Sequence, residues 1–252
     1  MRRIVGGFLV MLLLSTYVVA QSSNEISEKP LYRPAGNEAT LVGSISVEGA
    51  VPMRKRIDMS ADPVCLDLNR RPETEDVIVN DNRVPNAFIY LKSDVLQSFR
   101  FELPVAELTL QHINCMYSPH VLGVRAGQTL RIVNADPTHH NTHPTPKYNP
   151  EWNVSQPQGA DALPKTFLRD EVLIPVKDNA HPWERAFIAV LSHPFFAVSD
   201  DFGRFEIRGV PPGTYKLFIW HEGFGTQQLE VTLVPNEIRS ADFTFDPAKR
   251  QP

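Results

Sequence analysis

The sequence predicts an all-β fold built from Greek-key β-sandwiches. Three observations carry that expectation. Short apolar runs rich in Val, Ile, Phe and Tyr recur along the chain, several alternating with polar residues. The 22 prolines and 13 glycines fall mainly between those runs, as punctuation. No segment keeps a helical hydrophobic period long enough for a packed helix.

The elements follow in chain order. Met1-Arg2-Arg3 precedes an apolar stretch ending in small residues at Val18 and Ala20, the outline of a secretory signal peptide (residues 1–20) cleaved after Ala20. Its short apolar run is followed at once by the polar Gln21-Ser22-Ser23-Asn24-Glu25, which argues against a membrane anchor, and no later segment is apolar enough to span a bilayer. Leu41–Val47, Ala87–Leu91 and Val105–Leu110 read as the first strands. Val121–Val124, Thr129–Val133, Val172–Val176 and Ala186–Leu191 follow. Arg204–Ile207, Thr214–Trp220 and Leu229–Leu233 complete the set. Residues 52–82 and 135–170 read as irregular, and a loop of that length is usually functional or mobile.

Composition bounds the function. Loss of Arg2 and Arg3 with the leader deepens the formal charge from −4 to −6, which leaves no footprint for nucleic acid. The expected location is the periplasm or the exterior. There, the two cysteines, Cys65 and Cys115, read most simply as one disulfide. Two buried thiols or a soft metal site are the alternatives. No G-x-S-x-G, H-E-x-x-H or P-loop occurs, so no catalytic set is assigned and the chain reads as a non-enzyme.

Residues 199–220 read S-D-D-F-G-R-F-E-I-R-G-V-P-P-G-T-Y-K-L-F-I-W. Asp200, Asp201 and Gly203 predict a hairpin turn, and Pro211-Pro212-Gly213 a second tight turn. This stretch resembles the transthyretin-like sandwich called the carboxypeptidase regulatory-like domain. It also resembles the middle module of rhamnogalacturonan lyases. Such modules are spacers or binding accessories.

Residues 119–143, with Gly127-Gln128, Asn134, Asp136, His140 and Asn141, followed later by K-D-N-A-H-P-W-E-R at 177–185, resemble a cupredoxin of the plastocyanin and amicyanin type. The resemblance implies copper ligands at His140 and His181. It sets Asp178 where the thiolate belongs and Glu184 where the axial methionine belongs. Without both sulfurs a type 1 blue copper site is not expected. A hard-ligand site is: His140, Asp178, His181 and Glu184 would hold one divalent ion, Zn(II) or Cu(II), with His143, or His139, as an added ligand. A degenerate site on a solvated loop is the competing reading, and a two-His, one-carboxylate iron site a third. His120, His193 and His221 read as structural or surface histidines.

The two resemblances predict a nested chain. Residues 40–104 and 194–246 would form the transthyretin-like sandwich. Residues 105–193 would form the cupredoxin-like domain, and Cys65 and Cys115 would staple the two. A tandem arrangement with a boundary near 193 is the alternative. The expected function is an exported metal-binding protein. A metal-free structural or carbohydrate-binding accessory of the cell envelope, with a protein or carbohydrate partner there, is the rival, and a metal-dependent enzyme the more distant one.

Overall fold

The computed structural model describes residues 29–249, so the leader reading of residues 1–20 lies outside the described residues. The first strands are β1 (Ala39–Val47), β2 (Phe88–Lys92), β3 (Leu108–Ile113), β4 (Met116–Ser118), β5 (Val121–Arg125) and β6 (Leu130–Asn134). Next come β7 (His140–Pro144), β8 (Val154–Gln156), β9 (Leu163–Lys165), β10 (Glu171–Lys177) and β11 (Arg185–Leu191). The last are β12 (Phe196–Val198), β13 (Arg204–Val210), β14 (Gly213–His221), β15 (Gly225–Leu233), β16 (Ile238–Ser240) and β17 (Phe243–Phe245). Two short helices, α1 (Pro63–Leu68) and α2 (Asp94–Gln97), interrupt the strands. The chain is all-β.

Four sheets make two sandwiches. In the first, β13-β1-β16, with β17 also paired to β1, faces β12-β2-β14-β15. Alternation dictates its core: Leu41 and Ile45 from β1, Ile89 and Leu91 from β2, and Tyr215, Leu217 and Ile219 from β14 all turn inward. In the second, β5-β11-β10-β7-β8 faces β4-β3-β6-β9. Leu110, Tyr117, Leu130, Ile132, Ile174, Ile188 and Val190 fill it.

β2 does not alternate in burial, because it is covered on both faces. Phe88 and Tyr90 leave the first core and pack against Val121, Ala189 and Leu191 of β5 and β11. Phe187 meets Trp220 edge to face across the same seam, with centroids 4.9 Å apart. Gly123 permits the approach, since a Cβ there would lie 2.4 Å from the Phe196 ring.

Two expectations need correction. The turn at Asp200–Gly203 closes no hairpin: β12 pairs with β2, whereas β13 pairs with β1, so the turn carries the chain from one sheet to the other. Gly203 still meets the demand for a left-handed residue, with φ at +69°. The stretch 135–170 is less irregular than its prolines suggest, because β7 and β8 pair with each other, β7 also joins β10, and β9 joins β6. Their short lengths hid the period.

Candidate metal centre

The loop between β10 and β11 places Asp178 first, then His181 and Glu184. The Asp178 carboxylate folds the loop on itself: Oδ1 accepts the backbone N–H groups of Ala180 (2.6 Å) and His181 (3.0 Å). That turn sends Oδ2 inward. His140 enters from the start of β7 and His112 from β3, where it continues the inward face of Leu110. His112, His140, Asp178 and Glu184 are all buried, with donor atoms within 4.8 Å of one another.

The atoms converge closely. His140 Nδ1 lies 3.0 Å from Asp178 Oδ2, 2.9 Å from Glu184 Oε1 and 3.1 Å from His181 Nδ1. His181 Nδ1 is 3.4 Å from Asp178 Oδ2 and 3.5 Å from Glu184 Oε1. His112 Nδ1 meets Glu184 Oε2 at 2.7 Å.

Each imidazole is held by its far nitrogen. His140 Nε2–H donates to Asp136 at 3.2 Å and His181 Nε2–H to Asp62 at 3.0 Å, while His112 Nε2 meets the Thr142 hydroxyl at 2.8 Å. Carboxylates behind His140 and His181 fix the Nε2–H form and leave Nδ1 as a lone pair. Two such lone pairs 3.1 Å apart, beside two carboxylates, repel unless a proton or a metal cation lies between them. Glu184 Oε1 is buried and meets no polar group other than the imidazole nitrogens, an acceptor aimed at the same point. Ligands about 2.1 Å from one ion stand roughly 3.0–3.4 Å apart, which matches these separations. The donor set therefore fits a divalent cation.

The same carboxylates draw positive charge, proton or metal ion, into the site. Burial alone would lower the His140 pKa, but the contacts to Asp136, Asp178 and Glu184 outweigh it and lift it to about 11. His181 is raised in the same sense by Asp178 and Asp62 against its burial. Burial would raise Asp178, yet hydrogen bonds from His140, His181 and the Asn141 and His181 backbone hold it well below the usual carboxylate range.

His140, Asp178, His181 and Glu184 thus come together. His143 does not: its Nε2 lies against Glu151 at 2.6 Å and its Nδ1 faces Asn179. The alternation of β7 turns it away from buried His140 and Thr142. His139 likewise points outward, to Ser155. Sequence reading missed His112, although its place two residues beyond buried Leu110 on β3 marks an inward polar residue. It also missed Asp62, which caps α1 and reaches His181 from residues 52–82.

Cys65 and Cys115 are bonded, with sulfurs 1.97 Å apart. Cys115 sits in the turn between β3 and β4, where Asp136 accepts the backbone N–H of both Asn114 and Cys115. Asp136 therefore ties the disulfide turn to His140. The Cys65 sulfur lies 3.7 Å from His181 Nε2.

His120 is a clamp between the sandwiches. Its Nδ1–H donates to the Arg185 carbonyl and its Nε2–H to Glu222, with Glu75 Oε2 3.3 Å away. Burial would lower its pKa, but Glu222 and Glu75 raise it to about 9. A raised folded pKa gives stability that is whole below about 6.5 and is lost as pH rises through about 9. Chemical denaturation of wild type minus His120→Gln is expected to show this loss, on the order of 3 kcal/mol. A pH-independent difference across that window refutes the clamp.

Fold and site define a two-sandwich protein whose second sandwich carries a buried cluster of imidazoles and carboxylates, and together they fit a metal-binding β-sandwich. A family model for the carboxypeptidase regulatory-like domain matches residues 176–246. That match starts inside β10 and includes β11, while β1 and β2, which complete the first sandwich, lie outside it. No curated protein matches the chain. Solved structures of copper proteins are weakly similar. The copper nitrite reductase of Thermus scotoductus SA-01 is 19% identical over 36% of this chain, with a TM-score of 0.32, and this chain covers only 24% of it. A purple cupredoxin from Nitrosopumilus maritimus is 18% identical over 33% of this chain and 98% of its own, with a TM-score of 0.29. A reduced Cu(I) amicyanin mutant is 20% identical over 40% of this chain and 97% of its own, with a TM-score of 0.30.

Proposed function

We propose that this is an exported binding protein, not an enzyme, that holds one divalent metal ion through His140, His181, Asp178 and Glu184, joined by His112. The approach of two carboxylate-backed Nδ1 atoms to 3.1 Å in a buried site is the observation that carries this reading. Imidazole and carboxylate donors suit Zn(II) or Cu(II). Both cysteines are bonded to each other, so no thiolate is offered and a type 1 blue copper centre is not part of the reading. The bound ion would replace the protons that otherwise relieve the site. Export rests on residues 1–20 and on a disulfide suited to an oxidising compartment, the periplasm or beyond. We read residues 40–104 with 194–246 as one domain and 105–193 as its insertion.

Metal analysis and calorimetric titration of the mature protein test this. One equivalent of Zn(II) or Cu(II) is expected, with no intense absorption near roughly 600 nm in the copper form. Failure to bind either ion overturns the reading. It would favour a metal-free accessory module of the cell envelope, which the match at 176–246 supports.

A further inference from the structure

We propose that the groove outside the ligand loop, on the β10–β11 face, binds a small amphipathic carboxylate. This goes beyond the metal reading and does not rest on it. The groove is about 510 Å³ and is lined by Pro175, Val176, Pro182 and Phe187, with Lys177 and Arg185 at its rim. That volume is typical of a site for one small molecule.

The charges make the case. Lys177 and Arg185 are directly opposite in the antiparallel register, and both are exposed. Like charges so placed destabilise a sheet unless something neutralises them. Neither side chain has a hydrogen bond or ion pair with any described residue. The one acid along the groove, Asp178, turns its fully buried carboxylate into the metal centre, and Asn179 is neutral. Within the groove the two cations therefore face no exposed carboxylate, the acids Glu75, Asp76 and Glu222 lining the neighbouring cavity on the other side of Arg185.

The apolar part adjoins them on the same face. Pro175 and Phe187 are the next registered pair two residues along, and Pro182 overhangs from the loop. A carboxylate between Lys177 and Arg185 would lay an aromatic or short aliphatic body over Phe187 and Pro175. The chain's own formal charge of −4 opposes a polyanionic partner, whereas one carboxylate meets only the local pair.

Isothermal titration with phenylbutyrate and its neutral analogue phenylbutanol tests this on the mature protein. The acid is expected to bind saturably, roughly tenfold or more tighter than the alcohol. Lys177→Ser with Arg185→Ser, both at exposed positions, is expected to erase that preference while its circular dichroism stays that of wild type. Amide NMR shifts on adding the acid are expected to cluster at residues 175–177 and 185–187. No saturable binding at millimolar acid, equal affinity for the alcohol, or an unchanged preference in the double variant overturns the proposal.

Discussion

Replacing His112 with glutamine is expected to weaken divalent-metal binding by roughly 100-fold or more, while His143→Ala leaves it unchanged. His112 is buried on β3, and its Nδ1 lies 2.7 Å from Glu184 Oε2. Its loss removes one imidazole and frees the carboxylate that His112 helps orient. Glutamine keeps a polar group beside Thr142 and so limits damage to the fold. His143, by contrast, is engaged with Glu151 outside the cluster. Competition titration with a chromophoric chelator measures both affinities. Equal affinities for His112→Gln and wild type would remove His112 from the ligand set. A large loss in His143→Ala would mean that the centre extends to the outer face of β7.

The second large effect is expected from the disulfide. Cys65→Ala with Cys115→Ala opens a loop of 50 residues and should cost about 4 kcal/mol in the chain-entropy account. The same change should weaken the metal centre. Cys65 pins α1, whose N-cap Asp62 accepts from His181 Nε2, and Cys115 pins the turn that Asp136 ties to His140. Denaturant titration gives the first quantity. Metal titration of the double variant gives the second, with a drop of roughly tenfold or more expected. A variant as stable as wild type would show that the loop keeps its shape without the bond. Full metal affinity would show that Asp62 and Asp136 hold their histidines unaided.

The strands were largely legible because alternation is local: Tyr215, Leu217 and Ile219 show their inward face in the sequence itself. The grouping of Asp178, His181 and Glu184 was legible for the same reason, since the three lie within one turn of chain. His112 was not, because a single histidine at the end of an apolar strand gains meaning only when β7 and the 178–184 loop close over it. Asp62, and the role of Asp136, were harder still. Each serves a histidine through its far nitrogen, and such support arises from tertiary contact. His143 misled because proximity to His140 in sequence suggests a shared site, whereas neighbours of odd spacing along a strand face opposite ways.

The sheet order also dictates a sequence of assembly. Leu41 pairs with Ile207 and Thr40 with Ile238, so β1 must wait for strands made long after it. The strands of the second sandwich are contiguous from β3 to β11 and need no such wait. Once that block has condensed, the distance between β2 and β12 collapses to the width of a single seam. The entropy of closing the outer sheets falls accordingly. The central block thus serves as a scaffold on which the strands before and after it find each other, and destabilising it should slow the maturation of strands it never touches.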